Sequence, residues 1–72
     1  MKIFYVETGF GATLVEASTL NAAGNSILRE VGTYNGIHLV RLASDEDILW
    51  VHNMGGTVPS TPRTRKLIGD KL

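Results

Sequence analysis

The chain of 72 residues contains no cysteine, only two prolines and a single tryptophan. Without cysteine it has no disulfide and no thiolate ligand for a metal, the two supports on which very small domains commonly rely. The remaining support at this size is pairing with another subunit, because a domain near 60 residues buries only about 60% of the surface of its unfolded chain. Long hydrophobic runs are missing too: Ile3-Phe4-Tyr5-Val6 stops at Glu7, too short for a secretion signal or a membrane span. A soluble protein of the cytoplasm, within a host bacterial cell, is expected.

What is present suits a folded chain, with 43% hydrophobic and 19% charged residues. The formal net charge of zero conceals a division. Residues 1–62 carry three cations against six carboxylates, and residues 63–72 carry four cations against one. An acidic body thus bears a basic end.

Lys2 to Thr8 reads as a central strand, because Ile3 and Tyr5 fall on one face and Phe4 and Val6 on the other. Gly9-Phe10-Gly11 reads as a tight turn with Gly9 at its first central position, and Ala12 to Ala17 as the returning strand. Ser18 is the expected cap of a first helix, whose apolar face is Leu20, Ala23, Ile27, Leu28 and Val31, with Gly32 as its stop. Gly24 lies on that face, which suggests a close approach of the helix to the sheet. A turn at Tyr34-Asn35-Gly36 leads to a third strand over Ile37 to Leu42. Ser44-Asp45-Glu46-Asp47 is a second helix start, with Ser44 as cap and Asp47 three residues later, and Gly55-Gly56 ends that helix.

These elements predict an α+β domain over 1–58, ordered β-β-α-β-α, with two helices and a three-stranded, mainly antiparallel sheet in the order 2-1-3. The segment 59–72, rich in proline, threonine and cations, is expected to be a flexible basic tail.

Constellations for chemistry are weak. Gly9-Phe10-Gly11-Ala12-Thr13 lacks the Gly-Lys-Ser/Thr of a phosphate loop and runs into a strand rather than a helix. His38 and His52 are the only histidines, and the carboxylates between them are explained as helix-start residues, so no metal and no cofactor is expected. Ser18 and Ser44 read as caps, and no nucleophile stands beside a base and an orienting group. An enzyme is not expected.

The second helix is the informative element, since Ile48, Leu49, Trp50, Val51 and Met54 are apolar nearly all round. Ile48 and Val51 are expected to face the sheet, with Trp50 and Met54 turned to a partner or a second copy. All five are taken as candidate interface residues. Arg63, Arg65 and Lys66 are the candidate nucleic-acid contacts, without interleaved aromatics and attached to an acidic body, so nucleic acid is the lesser alternative.

The stretch Ala43-Ser44-Asp45-Glu46-Asp47-Ile48-Leu49-Trp50-Val51, with Met54-Gly55-Gly56-Thr57-Val58-Pro59, resembles a group of small uncharacterised bacteriophage and prophage proteins. Their shared pattern is Asp-Ile-x-Trp-Val…Met-Gly-Gly-x-Val-Pro. The resemblance implies a phage origin and no activity. The expectation is a non-catalytic interaction protein, a homodimer that inhibits a host defence protein by covering its surface. The alternatives are a nucleic-acid-binding accessory protein and a nucleotide sponge with its pocket between subunits.

Overall fold

The computed structural model describes residues 1–31 and 36–69. The elements are β1 (Lys2–Thr8), β2 (Gly11–Ala17), α1 (Leu20–Val31), β3 (Ile37–Leu42), α2 (Asp45–Asn53) and α3 (Pro62–Ile68). The expected stop at Gly32, the Tyr34-Asn35 part of the turn and residues 70–72 lie outside the described residues.

β1 is the middle strand of an antiparallel sheet in the order β2-β1-β3, as its apolar side chains on both faces require. Its alternation divides the interior into two cores. Phe4 packs with Ala17 and Ala23 beneath α1, and Ile3 and Tyr5 pack with Leu14, Ala43, Ile48 and Val51 beneath α2. The fold is therefore a sheet with helices on both faces.

Two local expectations shift. Gly9 and Phe10 do link Thr8 to Gly11, but the left-handed φ, 123°, falls on Gly11. The Thr8 hydroxyl closes this turn, accepting from the Phe10 amide at 3.1 Å and donating to the Gly11 carbonyl at 3.1 Å. In α1 the capping oxygen belongs to Thr19, which accepts from the Ala22 amide at 3.1 Å, so Ser18 lies one residue outside. Leu20 consequently sits in the first turn and is half exposed. Nor does Gly24 mark a tight approach: a Cβ there would find its nearest neighbour, a Val40 methyl, at 4.0 Å.

The larger correction concerns the end of the chain. The flexible tail expected from residue 59 is a third helix over Pro62–Ile68. Thr61 caps it, Pro62 occupies the first turn where no amide partner is needed, and the Thr64 hydroxyl completes a capping box by accepting from the Thr61 amide at 2.9 Å. Thr64 is wholly buried, and its hydroxyl donates to the Pro59 carbonyl at 2.6 Å. Val58, Leu67 and Ile68 pack against the core beneath α2. Proline and threonine read as breakers in the sequence, yet here they form the helix start.

Candidate functional site

α2 begins with the expected capping box: the Asp47 amide donates to Ser44 Oγ at 3.1 Å and the Ser44 amide to Asp47 Oδ2 at 2.8 Å. Asp47 is also gripped from β3, where the Arg41 guanidinium forms a two-bonded pair with it, one contact at 2.9 Å. This bond, more than the Ser44 contacts, holds the Asp47 carboxyl below its usual range. The Arg41 guanidinium also lies 4.5 Å from the centroid of the Tyr5 ring. Burial, then the charge of Glu7, pushes the Tyr5 hydroxyl up. These contacts fix the rotation of α2 over the sheet.

That rotation splits the five apolar candidates. Ile48 and Val51 are fully buried and belong to the core, so they are removed from the expected interface. Leu49, Trp50 and Met54 remain at the surface, with Trp50 50% and Met54 70% exposed. Trp50 meets the Tyr5 ring edge-on, centroids 6.5 Å apart and planes at 61°, which holds its orientation while leaving half of it in solvent.

The hairpin supplies a residue that sequence reasoning assigned only to a turn. Phe10, 87% exposed, stands across from Trp50 and Met54 around a groove of 250 Å³ floored by Gly11, Ala12 and Gly56. Gly56 is required there, because a Cβ would lie 2.7 Å from a Val51 methyl and 3.1 Å from the Val51 carbonyl oxygen. With its left-handed neighbour Gly55 at φ 81°, it turns the chain sharply away below Met54. No local pattern announces Phe10 as part of the surface, since the hairpin and α2 are about forty positions apart and meet only through the sheet.

The basic candidates come out differently. Arg63 is committed within its own chain: its guanidinium donates to Asp45 Oδ1 at 3.1 and 2.8 Å and to the Ala43 carbonyl at 3.0 Å. Arg65 reaches the Ser60 hydroxyl at 3.1 Å, and Lys66 is exposed. The three cations thus include one that ties α3 to the start of α2. A groove of 600 Å³ at the other end of the sheet mixes Lys2 and Arg63 with Glu16 and Met1 and concentrates no single charge.

Among the described residues, no group of three or more histidine or carboxylate side chains is placed to hold a metal ion. Nor is any of their helices long and apolar enough to cross a membrane. Compared with family models, with curated proteins and with solved structures, the chain finds no match in any of the three.

Proposed function

We propose that this chain is a non-catalytic interaction module that binds another protein through Phe10, Trp50 and Met54. The observation that carries the reading is the division of α2. Ile48 and Val51 complete the core, so Trp50 and Met54 are not needed for it, yet both stand in water beside an even more exposed phenylalanine. Aromatic and methionine side chains are the types enriched at the centres of protein contacts. Phe10 and Trp50 carry large rigid area, and Met54 adapts its shape, which suits a surface that covers a partner.

The phage resemblance of 43–59 gives this reading its biological form: a small protein that occludes a bacterial protein, such as a component of host defence. The nucleic-acid alternative is weakened by the Arg63 contacts, which leave fewer cations for phosphates. The groove beside Phe10, Trp50 and Met54, at 250 Å³, is smaller than ordinary small-molecule sites and suits a partner's side chain better than a nucleotide.

The test is affinity capture from bacterial lysate with the wild-type chain and with a Trp50→Ser/Met54→Ser double variant, after both are shown to melt cooperatively. Proteins retained by the wild type and lost with the folded double variant support the reading. Equal retention by both, or none by the wild type, refutes it.

A further inference from the structure

The surface of Phe10, Trp50 and Met54 has a charged border, and its unpaired charges are of one sign. β1 turns Ile3, Tyr5 and Glu7 to the α2 side of the sheet. Register sets Glu7 between Ala12 of β2, which floors the groove, and Leu39 of β3, which is 40% exposed. Trp50 meets Tyr5 in the row before, so Glu7 stands exposed next to that aromatic pair. Burial first and the Glu7 charge second push the Tyr5 hydroxyl up, which places the carboxylate near the outer end of the Tyr5 ring. Glu46, exposed in the first turn of α2, lies one helical turn before Trp50.

Among the described residues neither carboxylate has an ion-pair partner, since the pairs there are Arg41–Asp47 and Arg63–Asp45. Arg41 is the one cation of the sheet on this face, and Asp47 neutralises it. Lys2 begins β1 at the far end from Glu7, Arg29 belongs to α1 on the opposite face, and the remaining described cations belong to α3. Arg41 also shows how a cation is held on this face: its guanidinium lies 4.5 Å from the Tyr5 ring centroid while a carboxylate binds its charge. Around Trp50 the same two ingredients, a carboxylate and an open aromatic ring, are present without a cation from the described residues.

We infer that the partner's contact segment is basic: an apolar side chain enters the groove between Phe10, Trp50 and Met54, and flanking lysine or arginine side chains meet Glu7 and Glu46 beside the Trp50 ring. This rests on the reading of that surface as a protein contact and adds the chemistry of the partner. The acidic balance of residues 1–62, three cations against six carboxylates, draws such a segment in over longer range. The same field repels an acidic segment or a nucleic acid. Apolar fit in the groove supplies the contact, and the two carboxylates select which partner makes it.

Trp50 emission reports binding at this surface, since the chain holds one tryptophan. Short peptides in which leucine alternates with lysine, with glutamine or with glutamate are titrated into the full chain. At about 50 mM salt the lysine peptide is expected to bind about fivefold more tightly than the glutamine peptide, and the glutamate peptide more weakly than either. Salt at about 300 mM should remove most of that preference. In Glu7→Gln/Glu46→Gln the lysine and glutamine peptides should bind alike, and in Phe10→Ser/Met54→Ser all binding should fall. The four substituted residues are exposed, and both variants are first shown to melt as the wild type does. The inference is overturned by a lysine peptide that does not bind, by equal binding of the lysine and glutamine peptides at low salt, or by a lysine preference that persists in Glu7→Gln/Glu46→Gln. Binding without charge preference that still falls in Phe10→Ser/Met54→Ser would remove the basic partner and leave the docking surface. Binding that this last variant does not weaken would remove the surface itself.

Discussion

The two faces of the sheet are closed by different means. Under α1 the core is Phe4, Ala17 and Ala23, one large aromatic and two small residues beneath a helix of twelve residues. The opposite face is covered by helices of nine and seven residues, lengths that are marginal in isolation. That face is dense in directional bonds: two capping boxes, the Arg41–Asp47 and Arg63–Asp45 pairs, and the buried Thr64 hydroxyl. Short helices that cannot each bury a broad stripe are held in place by polar contacts, and this frees apolar side chains on α2 to stand outside. Among the described residues, the face with more side-chain bonds is the one that exposes Phe10, Trp50 and Met54.

The comparison is broken most severely at Ile48, which joins the α2 helix to the core on that face. Ile48→Ala should cost about 2–5 kcal/mol by chemical denaturation, the range for deleting a buried aliphatic side chain. A loss under 1 kcal/mol would mean that the bonds rather than the core hold the layer. Next is Thr64→Val, which keeps the shape of the side chain but strips the hydroxyl from the Pro59 and Thr61 contacts. It should cost about 1–2 kcal/mol, with amide exchange accelerated in α3 before α1. Uniform acceleration throughout the chain would show that the two faces do not differ in this way.

The α1 face should tolerate change at its glycine. Gly24→Ala has open space and regains helix propensity, so a gain of about 0.5–1 kcal/mol is expected in the melting curve. The smallest effect concerns pH and Asp47. Its folded-state pKa lies below the unfolded value because Arg41 binds the carboxylate. Its contribution is therefore complete above the unfolded carboxylate pKa and is lost as pH falls through the lowered folded value. Asp47→Asn should flatten the acid limb of the stability profile and leave neutral stability only slightly reduced.

Much of the fold is legible in the sequence where the signals are local. The two alternating apolar sets of β1, the periodic face of α1 and the Ser44-to-Asp47 box announce the strand order and both longer helices. α3 was equally local, a Thr61-Pro62-x-Thr64 start, but its proline and threonines also match the composition of an open tail. Burial of Thr64 against residues of the preceding loop decides between the two, and that is tertiary information. The site divides likewise. The split of α2 into Ile48 and Val51 against Trp50 and Met54 follows from helical spacing, whereas Phe10 enters only through the hairpin's position over α2. Arg63 looks like a solvent-facing cation until Asp45, eighteen residues away, is beside it.

The central claim is that the α2 helix keeps half of its apolar surface out of the core. Trp50, the single tryptophan, reports on this directly through quenching of its fluorescence by acrylamide. The account predicts efficient quenching in dilute protein, because half of the Trp50 side chain stands outside the core. Weak quenching in dilute, monomeric protein would contradict it, since Trp50 would then be enclosed by its own chain.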